Sequence, residues 1–421
     1  MRARLVVAFL AAAPLGAQMP IPSAEARVKA AVDGLKRDNA WTINNQISIC
    51  EIPAPPFKEK KRGLEFKRRL EAIGLRNVRI DTAGNVIAER KGTGNGPTVA
   101  IAGHLDTVFP EGTDVKVKRD GTRLTAPGIG DDCRGLAVVL AAARAFEKAG
   151  IQTLGTVYFI GNVGEEGPGN LRGVRNLFTN SLKGKIDYFI SVDGTDLDVT
   201  SRAVGSNRYK VTYKGPGGHS YGAFGRVNPI HALGRAMAQI ADVQVPSSPK
   251  TTFNVGVIGG GTSVNSIPFS ATAEIDMRSE SAEALATLDA TVRGILTSAL
   301  EAENARWGAG SNGKAMLTLV IDTIGLRPAN GTQTEATPIV ATAIAAGKAL
   351  GFTPATQASS TDANLPMSLG IPAITIDGGG KGGDAHALTE WYDDTTTGWR
   401  GPQWAVLLVA ALAKVAPAVV P

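Results

Sequence analysis

Cysteine is nearly absent: Cys50 and Cys133 are the only two in 421 residues. That excludes a disulfide-stapled scaffold and a thiolate zinc cluster, and the two are expected as free, packed thiols. Histidine is almost as scarce, with His104, His219, His231 and His386 alone. Aromatic residues make up 5%, and the formal charge is only +6. No Arg/Lys stripe with interleaved aromatics exists, so nucleic acid is not an expected partner. Nor does any segment after the N-terminus hold enough uninterrupted apolar residues to span a bilayer, so stable membrane insertion is not expected. The one apolar run, Leu5 to Leu15, follows Arg2 and Arg4 and precedes Gly16-Ala17. This is the layout of a signal peptide over 1–17, cleaved after Ala17, and it predicts export to the periplasm or the medium.

Glycine, in contrast, is abundant. Fifty of 421 residues is about 12% against a usual ~7%, and points to many tight turns and close backbone approaches. With 43% hydrophobic and 19% charged residues the chain is a globular protein. Its length exceeds what one core usually holds, so two domains are expected.

The patterning separates them. Residues 24–50 and 57–73 read as amphipathic helices, the second with a basic solvated face. Short apolar runs at 99–102, 156–160, 188–192 and 373–376 read as buried strands. They alternate with helices at 136–146 and 402–415, which indicates an α/β domain with a mostly parallel sheet. Between them, 208–213, 252–257, 270–277 and 315–321 read as strands, most alternating polar and apolar residues, interleaved with helices at 229–240 and 282–302. Strand, helix, strand, strand, helix, strand is a ferredoxin-like order. The fold class is therefore α/β: a catalytic domain over 18–204 and 326–421, with an inserted α+β lid and dimerisation domain over 205–325.

The residues that can do chemistry cluster just past the ends of the buried strands. Strand 98–103 runs into His104-Leu105-Asp106, 156–161 is followed by Glu165-Glu166, 188–192 ends at Asp193, and 373–376 leads toward His386. Asp131-Asp132 comes after a Gly-rich turn, before helix 136–146. In open α/β sheets the ligand crevice lies at the carboxyl ends of the strands. Carboxylates converging there repel one another unless a cation neutralises them. A mixed His/carboxylate set without Cys suits zinc, or cobalt or manganese. Five ligands exceed one catalytic zinc, so two divalent metal ions sharing a carboxylate fit better.

These residues resemble the zinc metallopeptidases that include peptidase T, glutamate carboxypeptidase, succinyl-diaminopimelate desuccinylase and the aminoacylases. The segment Ser359-Ser360-Thr361-Asp362-Ala363-Asn364 and the loop Gly378 to His386 resemble the peptidase T-like branch in particular. The resemblance implies that His104 and Asp193 hold one metal, Glu166 and His386 the other, and that Asp131 bridges, with Asp132 the other candidate for the bridge. It implies Asp106 as the group orienting His104, Glu165 as the general base, and a cis peptide after Asp131. In the lid, His219 resembles a catalytic group that reaches the partner subunit's substrate in a homodimer, and Asn265 and Arg278 resemble substrate-binding groups. Gly205 and the segment Gly325 to Pro328 are the expected hinges, and His231 is expected to be structural. One departure stands out: Cys133 occupies a place where the family often has Lys, and Arg134 comes directly after it. The expected enzyme is an exported dizinc exopeptidase for short peptides. The alternatives are an N-acyl-amino-acid amidohydrolase of the same fold and an inactive peptide-binding homologue.

Overall fold

The computed structural model describes residues 18–417 apart from 312 and 396. The segment 1–17, which the sequence marks as a signal peptide, lies outside the described residues.

Strands Val99–His104 and Val157–Asn162 are buried at every position, which places them inside a sheet covered on both faces. That sheet has eight strands. Its order is Asn77–Ile80, Val86–Arg90, Val157–Asn162, Val99–His104, Tyr188–Val192, Ala373–Ile376, Val199–Ala203, Thr356–Ser359. The central four run parallel, and Asn77–Ile80, Val86–Arg90 and Val199–Ala203 pair antiparallel. Side chains alternate between two cores, as a strand's period of two requires. Val99 and Ile101 join helices Cys133–Lys148 and Arg400–Ala413 on one face. Ala100 and Ala102 join Leu171, Phe178 and Met367 on the other.

The expected helix 24–50 is two helices, Ala26–Arg37 and Asn39–Cys50. They break at Asp38, whose carboxylate accepts from Arg144 at 2.7 Å and Lys148 at 2.9 Å. Several elements have no counterpart in the sequence pattern. They include edge strands Asn77–Ile80 and Thr356–Ser359 and a small antiparallel sheet of Lys381–Gly383, Trp391–Asp393, Arg123–Thr125 and Lys118–Asp120. The loop between the first two of those strands carries His386.

The insertion is a four-stranded antiparallel sheet ordered Thr251–Gly260, Ser270–Ser279, Gly205–Lys214, Thr318–Arg327. Helices Pro229–Ala241 and Ala282–Trp307 cover one face and close a separate core around Tyr209, Val211, Ile275 and Leu296. The other face carries Arg208, Asp276 and Arg278. The chain passes into this unit at Val204 and out at Pro328-Ala329. Those two crossings lie side by side, because Ala203 and Asn330 exchange both backbone hydrogen bonds, at 2.8 and 3.0 Å. Gly205 is required there: a Cβ would sit 2.5 Å from the Ala329 nitrogen. Asn364 donates to both crossings, reaching the carbonyls of Val204 at 2.8 Å and Pro328 at 3.1 Å.

Candidate metal centre

The centre forms at the carboxyl ends of the central parallel strands. His104 is the last residue of its strand and is buried. Its Nδ1 lies 3.1 Å from the Asp106 carbonyl oxygen, so that nitrogen carries the proton and Nε2 faces the cleft. There Nε2 stands 2.9 Å from Oδ1 of Asp131. The other oxygen of Asp131, Oδ2, is 3.1 Å from Nε2 of His386, and that same nitrogen is 3.0 Å from Oε1 of Glu166. One carboxylate thus meets two imidazoles, one per oxygen. Asp193, directly after Val192, joins His104 and Asp131 in one group of potential ligands, while Asp131, Glu166 and His386 form a second. Asp131 belongs to both, and Glu165 falls with His104 and Glu166 in a third.

Asp131 and Asp132 have opposite fates, which separates the two candidates for the bridge. The peptide bond between them is cis. Asp132 is fully buried and turns away from His386 and Glu166. It caps helix Cys133–Lys148 by accepting from Gly135 N–H at 2.8 Å, and it also accepts from His104 N–H at 2.8 Å. Arg134, next to the departure at Cys133, is likewise a scaffold residue. It is buried and donates to the Gly378 carbonyl at 2.8 Å and to Gln46 at 3.2 Å.

The role expected of Asp106 differs in detail. Its carbonyl orients the His104 ring, whereas its carboxylate stays 3.7 Å from Nδ1. That carboxylate instead accepts the N–H groups of Gly164, Glu165 and Glu166 at 2.8, 3.2 and 2.9 Å. It therefore shapes the turn that carries both glutamates.

The charge balance fits bound cations. Among the described residues no lysine or arginine pairs with Asp131, Glu166 or Asp193. Burial, reinforced by the Asp131 charge, pushes Asp193 well above the usual carboxylate range. Burial lifts Glu166 to about 7 despite its contact with His386. Contacts with Asp131 and then Glu166 raise His386 to about 10. Burial works against a charged His104, yet its contacts with Asp106 and Asp131 raise it well above an ordinary histidine. The ring nitrogens thus hold protons where positive charge is needed, and divalent cations meet that need with oxygen and nitrogen ligands suited to zinc, cobalt or manganese.

Three residues that no sequence pattern singled out for a role also shape the centre. Glu390 accepts from the N–H groups of Gly128, Gly130 and Asp131 at 2.8, 2.8 and 2.9 Å and so holds the turn that carries Asp131. Arg327, the last residue of its lid strand, donates to Oε1 of Glu165 at 2.8 Å. Asp362 is buried and accepts from Asn162 at 2.6 Å. Their partners are distant in sequence, so no local pattern marks them. The signals were that Asp362 lies in a segment singled out by resemblance and that Arg327 lies in the expected hinge segment Gly325 to Pro328.

The lid residues do not join the cluster. His219 is exposed, and its Nδ1 accepts from Tyr221 and Gly222 N–H at 3.3 and 3.2 Å, leaving Nε2 free to donate. A two-stranded ladder pairs His219 with Ser266, which brings the exposed Asn265 beside it. Arg278 pairs with Asp276 at 2.7 Å and shares a cross-strand row with Ser206 and Arg327. His231 sits near the start of helix Pro229–Ala241, 4.0 Å from Glu303.

Comparison with known proteins agrees with this geometry. Residues 100–399 match the model of peptidase family M20/M25/M40. The succinyl-diaminopimelate desuccinylase of Burkholderia mallei is 31% identical over 251 residues, 54% of this chain and 66% of that enzyme. Two solved structures share the fold. Aminopeptidase PepT from Bacillus cereus superposes with a TM-score of 0.71 at 21% identity, over 89% of this chain and 98% of that one. Bacillus subtilis YXEP, a dinuclear metal binding peptidase, gives 0.63 at 20% identity, over 91% and 98%. A family match across most of the chain, on a fold shared with these proteins, makes this a metal-dependent enzyme of the peptidase and amidohydrolase class, and the chain belongs to peptidase family M20/M25/M40.

Proposed function

We propose that the protein is an exported exopeptidase that hydrolyses short peptides with two divalent metal ions, zinc by preference, and acts as a homodimer. The observation that carries this reading is the position of Asp131 between the two groups of ligands, one oxygen to His104 and the other to His386. His104, Asp131 and Asp193 would hold one ion, and Asp131, Glu166 and His386 the other. Such a pair lowers the pKa of a shared water and polarises the scissile carbonyl.

The chain's own residues do the rest. Glu165, beside this cluster, takes the proton of the attacking water and returns it to the leaving amine. Asp106 keeps Glu165 and Glu166 in place through three backbone N–H groups, and its carbonyl keeps Nε2 of His104 turned to the cleft. Arg278 and Asn265 bind the ends of the peptide. His219 is expected to donate from Nε2 to the oxyanion of the tetrahedral intermediate, across the interface to the partner's site. The lid supports an interface: strand Thr251–Gly260 is an outer edge and exposes Val257 and Ile258, and Val264 is exposed in the loop that follows. Hydrolysis of N-acyl amino acids is the second reading, favoured by the 31% identity to a desuccinylase.

The deciding experiment is a screen of di- and tripeptides, free and blocked at either end, against N-acyl amino acids, with zinc, cobalt or manganese. Turnover of unblocked peptides supports the exopeptidase. Exclusive turnover of N-acyl amino acids would replace it with the amidohydrolase, and a protein that binds peptides without metal would be neither.

A further inference from the structure

His219 owes its orientation to the turn that follows it. Its Nδ1 accepts from the N–H groups of Tyr221 and Gly222 at 3.3 and 3.2 Å, and its carbonyl accepts from Ala223 N–H at 2.8 Å. The turn folds back on Gly218, where a Cβ would stand 2.8 Å from that of Ala223. Ser220 N–H donates to the Asn265 carbonyl at 2.9 Å and ties the start of the turn to the neighbouring loop. The two bonds to Nδ1 lie at the surface, where water competes for them.

A brace for this turn comes from the end of the lid's long helix. Phe224, next to Ala223, sets its ring edge-on to Trp307, with centroids 5.5 Å apart and planes at 79°. Phe224 is 80% exposed, so the contact is not part of the lid core. Trp307 is the last residue of helix Ala282–Trp307, and its indole is itself fixed: Nε1 donates to Oε1 of Glu303, one turn earlier, at 2.9 Å. Glu303 is fully buried. The same oxygen accepts Asn228 N–H at 2.9 Å, and the other accepts from Arg235. Asn228 in turn caps helix Pro229–Ala241. Glu303 thus anchors both the far end of the loop and the ring on which Phe224 rests. A buried carboxylate with both oxygens paired makes a rigid base.

We propose that Phe224 is a positioning residue for His219, and that Trp307 and Glu303 form the base against which it holds the turn. The inference deepens the functional reading and rests on His219 being an oxyanion donor. Such a donor must be held about 2.7–3.1 Å from the developing charge. With Gly217, Gly218, Gly222 and Gly225 in the segment, its backbone has much freedom to lose. The Phe224–Trp307 contact selects the one arrangement in which Tyr221 and Gly222 N–H occupy Nδ1 and Nε2 carries the proton to be donated. Neither aromatic ring needs to touch the substrate for this.

Phe224→Ala, Phe224→Tyr, Trp307→Leu, His219→Ala and the double variant Phe224→Ala/His219→Ala test it, each checked for folding by thermal melt and for bound zinc. We expect Phe224→Ala to lower kcat about tenfold with KM within about twofold, as misplacement of a catalytic group does. Its melting temperature and zinc content should match the wild type, and Phe224→Tyr, which keeps the ring, should keep the activity. Trp307→Leu should lose as much as Phe224→Ala, and full activity in it would overturn the brace. In the His219→Ala background Phe224→Ala should cost nothing more. A further loss there would overturn the proposal, since Phe224 would then act without His219. So would a KM rise at constant kcat, which would make Phe224 a substrate contact. Nitrogen-15 spectra of the imidazole rings read the same brace without turnover. With four histidines in the sequence, the His219 signals are assigned by their loss in His219→Ala. The wild type should show the tautomer protonated at Nε2, and Phe224→Ala an average of the two tautomers. Unchanged His219 signals in Phe224→Ala would refute the positioning role. A fully active His219→Ala enzyme with an averaged ring in Phe224→Ala would mean failure of the oxyanion reading alone, and the converse pair failure of the brace alone.

Discussion

His104 and His219 each directly follow a glycine, yet the two regions treat them in opposite ways. His104 ends a strand buried on both faces, with one ring nitrogen tied to a carbonyl and the other aimed at Asp131. His219 lies on an exposed loop of the lid, tied only to the N–H groups of Tyr221 and Gly222. The first is a complete arrangement within one chain. The second has no target within the chain, and in the proposed reading the target is brought by motion or by a second subunit. On that reading the catalytic domain sets where the ions would sit, and the lid sets when a substrate would meet them.

The largest effect should come from the candidate metal centre of the catalytic domain. Asp131→Ala removes the shared ligand, so both ions should be lost on dialysis and activity should fall by at least roughly 10³-fold. Two ions retained per chain by elemental analysis would mean that another carboxylate bridges. Glu165→Gln should cut kcat by about 10²–10⁴-fold, as loss of a general base does, while both ions stay bound. Lost metal in that variant would make Glu165 a ligand and erase the distinction from Glu166.

The lid gives a smaller and more diagnostic effect. His219→Ala should cost roughly 10²-fold in kcat, the usual scale for one oxyanion donor, with metal content untouched. Mixing it with Glu165→Gln should restore part of the activity, because one hybrid site then holds both groups. No restoration in a confirmed heterodimer would place His219 and Glu165 of the same chain at one site.

The smallest effect is on stability. In the metal-free protein His386 is raised to about 10 and Glu166 to about 7, so the folded state binds more protons than the unfolded one. Stability should therefore decline as pH rises from about 5 to 10. Zinc replaces those protons and should flatten the slope in a melt series. An apo protein that gains stability over this range would contradict the charge balance described for the centre.

Much of this was legible in the sequence, and the rest was not, for physical reasons. Central strands such as Val99–His104 are unbroken apolar runs, and their ends point to a crevice, so the cluster could be read from position alone. Edge strands such as Asn77–Ile80 are short and half-exposed, with no run or period to betray them. Arg327 meets Glu165 across 162 positions of chain, and Glu390 meets Asp131 across 259. Only the folded sheet order joins those residues. Asp38 escaped for a related reason: its helix break depends on Arg144 and Lys148, far along the chain.

The Asp106 carboxylate collects three successive N–H groups, and Glu166 leaves that turn with extended backbone. The two carboxylates come within 4.8 Å of each other and of His104, yet Glu165 meets the arginine of the lid and Glu166 meets His386. Two chemically identical acids thus have different partners. A substitution at either glutamate can therefore alter one task while sparing its neighbour, whereas a change at Asp106 would rotate the turn beneath both and damage ion retention and proton transfer together.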